Sequence, residues 1–291
     1  MKTPQFFASI ALGASLFFAV SCDKTNVPQQ VQNGNTLTSP NPKTVLAEHF
    51  TGHFCYQCIS GDSTINSLEQ LYSSQVIPLA IHSGFFAEPS AIHSLPVNAP
   101  QGSLGGDFRT AVGDSLYDYF QVGALPLGMI NRTIFPVSGN VLDMPNAWQA
   151  QVAAELAATQ MADLQIVHTY DTLTRQLDLT VNGLFMQNNA GMFMIKTVLA
   201  EDSVYEWMVD NNASAVPYYH RHVLRDAIDH TLSAWGDTAA TGQINQNATF
   251  SRSYTNYLVS PNYNDQHCYV IAYLYDNSSK QVLQAVRVKV R

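Results

Sequence analysis

The chain has 291 residues and a formal net charge of −8, and only 12% of its residues are charged, about half the usual share. Fourteen Lys and Arg stand against 22 Asp and Glu, with no basic cluster. That balance argues against nucleic acid as a partner and against an electrostatic membrane surface. The length is ample for a core and exceeds one average domain.

The N-terminus reads as a targeting segment. Lys2 precedes Phe6–Val20, an apolar run of fifteen positions, which ends in Ala19-Val20-Ser21-Cys22. A positive start, a short apolar core and small residues before the cut describe a secretory signal over residues 1–21. A cysteine directly after the small residues resembles a bacterial lipobox, which implies cleavage before Cys22 and lipidation of that thiol. Residues 22–42 are rich in Asn, Gln, Thr and Pro and nearly without apolar anchors, so they read as a flexible linker. Elsewhere no stretch approaches ~18 unbroken apolar residues.

From Thr44 onward the periodicity is that of alternating strands and helices. TVLAEHF reads as a strand; Ile65, Leu68, Leu71 and Tyr72 then mark one helical face. Val76–His82 is a second buried-strand run. The long loop to Asp107 holds several prolines and glycines, and loops of that length are usually functional or mobile. Phe108–Phe120 is expected to be a helix with Val112, Leu116 and Tyr119 inside, Gly123–Ile130 a turn into a strand, and Trp148–Gln160 a closing helix. This order is an α/β signature over residues 43–162. After Asp163 the pattern alternates every two residues, with strands expected at Leu164–Tyr170, Gln176–Val181, Met192–Leu199, Thr249–Val259, His267–Tyr275 and Val282–Val290. Strands without intervening helices imply an all-β, immunoglobulin-like sandwich over residues 163–291.

Lipidation of Cys22 leaves three cysteines. Cys268 sits in an alternating strand and is expected to be a buried core thiol. Cys55 and Cys58 form a CxxC pair between the first strand and the first helix. A closed zinc site would need a second ligand pair, which is not evident. A structural disulfide over so short a loop gains little. A redox pair is supported by the placement, because unpaired N–H groups at a helix start favour a thiolate. Thioredoxin-like folds set a cis proline beside such a dithiol from a loop about this far downstream, and Ala124-Leu125-Pro126 supplies a candidate.

Val45–Gly52 leading into Cys55–Cys58, then Val76–His82, Gly123–Arg132 and Tyr219–Arg225, together resemble the Bacteroidetes outer-membrane lipoprotein family of the twenty-eight-kilodalton outer-membrane protein (Omp28-related). The resemblance spans nearly the whole mature chain. It implies a thioredoxin-like N-terminal domain, a C-terminal β-sandwich and an outer-membrane location, with no settled activity. Relatives usually carry an acid six residues before the first cysteine. Here His49 stands there, with Glu48 on the other strand face. His49 is either a base near neutral pH or a solvated strand-end residue.

Two further histidine positions stand out. His53 is expected to be an exposed loop residue, or, when charged, a stabiliser of the Cys55 thiolate. His220 and His222 are two apart, which on a strand places both on one face and could begin a metal site. No third ligand is apparent in sequence, so a structural role is expected, and no metal or cofactor is called for. The function expected is thiol–disulfide exchange, with Cys55 attacking, Cys58 resolving, and Pro126 and His49 completing the site. The substrate would be a protein partner or disulfide of unknown identity, and the membrane contact a lipid anchor. The alternative is a surface adhesion or binding lipoprotein that uses the fold as a scaffold.

Overall fold

The structure is a computed structural model, and it describes residues 29–30, 41–229 and 234–291. The expected signal segment and Cys22 lie outside the described residues. Among the described residues no helix is long and apolar enough to cross a membrane.

Strands β1 (Gln29–Gln30), β2 (Val45–Thr51), β3 (Val76–His82) and β4 (Leu127–Ile130) alternate with helices α1 (Cys58–Tyr72), α2 (Ala111–Tyr119) and α3 (Pro145–Ala157). β2 and β3 are buried at all seven positions each. Strands covered on both faces favour continuous apolar sequence. β3 has it through Ile81, whereas β2 interrupts it with Glu48 and His49, each held by a charged partner. They pair in parallel from Val45↔Val76 to Thr51↔His82, with α1 as the crossover. β4 lies antiparallel on the other side of β2, from Ala47↔Ile130 to Phe50↔Leu127. One further antiparallel bridge, Gly128↔Asp143, continues the sheet edge beyond it.

The helices differ from the sequence expectation in detail. Ile65 and Leu68 of α1 are buried, whereas Leu71 is 59% exposed. The inner stripe runs through positions 61, 65, 68 and 72, and residue 71 falls about 100° off it. α2 starts at Ala111 rather than Phe108, because the Thr110 hydroxyl accepts from Gly113 N–H and caps it there. Val112 and Leu116 face inward; Tyr119, in its last turn, is exposed and packs edge-on against Trp235. α3 starts three residues early, at Pro145, a residue suited to the first helical position.

The later chain forms β5 (Ala162–Asp171), β6 (Gln176–Phe185), β7 (Asn189–Glu201), β8 (Val204–Val209), β9 (Ala215–His220), β10 (Val223–Ala227), β11 (Asp237–Ile244), β12 (Thr249–Leu258), β13 (Cys268–Asp276) and β14 (Val282–Lys289). One sheet has the order β1-β5-β6-β12, and the other β14-β13-β7-β10-β3-β2-β4, with β11 also on β7. Leu164, Ile166, Leu177 and Leu179 of the first sheet share a core with Ile195, Val270, Ala272 and Leu274 of the second. The second sheet passes without a break across the expected boundary at 162/163. Its seam is β10, parallel to β3 at Val223↔Ala80 and antiparallel to β7.

A buried ion pair also ties the early strands to the late ones. Arg132 Nε and Nη2 donate to Glu48 Oε2 and Oε1 at 2.7 and 2.6 Å, and Nη2 also donates to Tyr273 Oη of β13. Both charged side chains are fully buried. The guanidinium lies 5.0 Å from the Tyr273 ring centre, which adds a cation–π contact.

Candidate functional site: a covered disulfide beside a histidine cluster

Cys55 and Cys58 are joined in a disulfide with Cα atoms 5.3 Å apart. Cys58 N–H donates to Cys55 C=O, and α1 begins at Cys58 itself. Cys58 therefore occupies the helix start, and Cys55 lies in the turn before it. Gly52 holds this turn against the long loop: a Cβ there would meet Phe86 O at 2.4 Å. On the other side, the Leu125–Pro126 bond is cis. A Cβ on Gly61 of α1 would meet Pro126 Cβ at 3.0 Å, so the helix sits directly on that proline. Tyr56, Gln57, Ser60, Pro126, Met144 and Asn211 line an adjoining groove of about 520 Å³.

The disulfide is nevertheless closed off. Cys55 is 4% exposed and Cys58 fully buried, packed with Met208 of β8 and with Tyr218 of β9. These strands form a hairpin inserted between β7 and β10, and its anchors are specific. Val209 N–H donates to His53 C=O. Glu206 accepts from the N–H groups of Leu104, Gly106 and Trp207. Asn98 both donates to and accepts from the backbone of Ala215. The long loop expected after His82 is thus a packed shelf for the hairpin, with Leu104 buried among Phe54, Val209 and Ala215.

His49 is buried, not solvated: its Nε2 lies 2.9 Å from Asp62 Oδ1. Asp62 is four residues after Cys58 and so on the same helix face. Its other oxygen accepts from Tyr218 O–H at 2.9 Å. Burial and this carboxylate push the Tyr218 phenol upward, so it stays a donor. Carboxylate, imidazole and hairpin are linked in one chain. Asp62 went unnoticed in the sequence; a polar residue one turn past a CxxC on the sheet-facing side was the available signal.

The other histidines depart from expectation. His53 is fully buried, with neither ring nitrogen hydrogen-bonded. His220 and His222 do not share a face, because His222 adopts φ 55° and breaks the strand alternation. His222 Nε2 lies 3.3 Å from Glu69 Oε2, whereas His220 Nδ1 lies 3.4 Å from His82 Nε2. Cys268 is buried and free, and burial, with Glu201 nearby, pushes its thiol up to about 12.

The profile of the family described as outer membrane protein Omp28 matches residues 113–291, so the match begins after the CxxC pair. Among solved structures, HBP35 of Porphyromonas gingivalis is similar with a TM-score of 0.63 and 15% identity, over 86% of this chain and 76% of that one. A protein from Agrobacterium tumefaciens is similar at 0.50 and 11%, over 87% and 97%. A domain of the outer membrane lipoprotein Omp28 from P. gingivalis shares 20% identity over 45% of this chain and 89% of its own, at a TM-score of 0.29 that carries no structural argument. At such identities these likenesses speak for the fold alone. None of the curated proteins matches the sequence. Because the family profile covers more than half of the sequence, the chain belongs to the Omp28 family of outer membrane proteins.

Proposed function

We propose that this protein is an outer-membrane-anchored, thioredoxin-like lipoprotein that exchanges disulfides through Cys55 and Cys58. The lipid tether is Cys22, residues 22–42 are its spacer, residues 43–162 are the thioredoxin-like part and residues 163–291 the immunoglobulin-like sandwich. One observation carries the reading: the Cys55–Cys58 disulfide meets a helix start, with the buried His49–Asp62 pair one turn along the same helix. Parallel β2 and β3, antiparallel β4 and Pro126 beside α1 support the thioredoxin-like assignment.

In the reduced protein the Cys55 thiolate attacks one sulfur of a partner disulfide, and the other partner sulfur leaves as a thiolate. Cys58, deprotonated through the His49–Asp62 pair, then attacks Cys55 Sγ and releases the partner's first sulfur. Two electrons pass to the partner and the Cys55–Cys58 bond forms; the reverse sequence oxidises a partner dithiol. Either direction requires the β8–β9 hairpin to lift. Reduced wild-type protein is expected to accelerate insulin reduction by dithiothreitol. Cys55→Ser should return the rate to the uncatalysed level, and Cys268→Ser should leave it unchanged. Equal inertness of wild type and Cys55→Ser sinks the proposal.

The cover over Cys55 favours a second reading, a binding lipoprotein in which the disulfide only braces the scaffold. The reduction potential separates the two. A value within about −120 to −270 mV matches exchange proteins, whereas one below about −300 mV matches a structural bond.

A further inference from the structure

His53, His82 and His220 stand together where the end of β2, the end of β3 and the end of β9 converge. All three are buried. Their ring centres are 5.3 Å (His53–His82), 4.8 Å (His53–His220) and 5.3 Å (His82–His220) apart. Two imidazole nitrogens bound at 2.0–2.1 Å to one tetrahedral ion lie about 3.3–3.4 Å apart, and their ring centres about 5.2 Å apart. The His82 Nε2 to His220 Nδ1 distance is 3.4 Å. A single N–H···N hydrogen bond would also account for that distance, but not for His53. Its two buried nitrogens have no hydrogen-bond partner, an arrangement that leaves desolvated polar groups uncompensated.

We propose that His53, His82 and His220 bind a divalent transition-metal ion of zinc type, with a fourth position open to water. Neutral imidazoles suit such an ion. Among the described residues no group of three or more His, Cys, Asp or Glu side chains is already placed to hold a metal ion. The step that remains is rotation of the His53 ring toward the His82–His220 pair, and that ring has no hydrogen bond to lose. The rings are also in the correct protonation state. Burial, reinforced by His220, holds His53 down to about 3; burial holds His220 down to about 4; burial with the neighbouring histidines holds His82 well below its usual value. The charged groups that act on the cluster are Asp107 on His53, Asp62 and Glu206 on His220, and Arg225 on His82. Phe108, whose ring centre lies 4.7–5.4 Å from all three, covers the cluster and also lines a cleft of about 200 Å³ with Asp107 and Arg225. The ion would tie the hairpin, through His220, to β3, which carries His82, and to the turn after β2, which carries His53.

The test uses full-length protein stripped with chelator and kept oxidised, so that Cys55 and Cys58 supply no ligand. The inference is therefore independent of thiol exchange. Zinc is titrated calorimetrically, and cobalt(II) serves as a visible-absorption probe of tetrahedral geometry. One ion per chain is expected. His53→Phe, His82→Phe and His220→Phe should each weaken binding at least tenfold and abolish the cobalt spectrum, while His222→Ala leaves both intact. Circular dichroism identifies any variant that fails to fold, and the remaining variants then decide. No binding by wild type, or binding unchanged in the folded variants, overturns the proposal.

Discussion

At position 49 the chain has a histidine, and the structure supplies a carboxylate beside it from Asp62 on the facing helix. Strand alternation made His49 and its neighbour Glu48 legible as residues of opposite faces, and they are: one meets Asp62, the other Arg132. The partners were not legible, because each arises from an element 13 to 84 positions away. Glu69 shows the same limit. Arg221, His222 and Arg287 converge on it from the β9–β10 turn and from β14. Burial alone would raise its carboxyl, but the hydrogen bond and charge of His222, with Arg287, hold it at about 2. The unfolded chain titrates near 4.5, so this depressed group contributes stability that is fully present above that value. The contribution is lost as pH falls through about 2. Glu69→Gln should therefore lower the urea midpoint at neutral pH and flatten its decline between pH 4.5 and 2. Parallel curves for the two proteins would contradict the assignment.

Among the elements, the β8–β9 hairpin decides what the disulfide can do. Its sequence hides it. β8 carries Glu206 and Trp207, β9 runs from buried Ala215 through Pro217 to half-buried Tyr218 and exposed Tyr219, and neither has the clean alternation of β5 or β6. β10 is short, bulged between Leu224 and Asp226, and offers Arg225 and Asp226 in the middle of a buried sheet. The long alternating strands were legible because one face of each meets a core. The hairpin meets instead a loop, a turn and two sulfurs. Glu206 is its main fastening, since one carboxylate satisfies the N–H groups of Leu104 and Gly106 in the loop as well as that of its neighbour Trp207. A hydrogen bond to a charged group is worth about 1.5–3 kcal/mol, so Glu206→Ala should raise the rate of Cys55–Cys58 reduction by dithiothreitol at least ~tenfold. An unchanged rate would show that the hairpin does not limit access.

At the scale of the whole molecule the two regions differ in periodicity but share a sheet. Glu48, Arg132 and Tyr273 join β2, the turn after β4 and β13 in one buried cluster. Removing one partner of such a pair leaves an uncompensated buried charge, at a cost of about 3–5 kcal/mol. Glu48→Gln is expected to lose that much in urea unfolding, within a single transition seen alike by far-ultraviolet circular dichroism and tryptophan fluorescence. Two separated transitions, with only one shifted, would mean that the regions unfold independently. The switch from alternating strands and helices to two-residue alternation was plain in the sequence. The seam was not, because its pairing joins Ala80 to Val223 across 143 positions.

That seam also sets an order of events during synthesis. The ribosome makes β2, α1 and β3 early, but the outer edge of β3 is completed only by β10. Until residue 223 has emerged, an apolar strand edge stands bare, a template for wrong pairing with any neighbouring chain. The first region to be made is therefore among the last to be finished, and the nascent chain must be kept from its neighbours for as long as that edge waits.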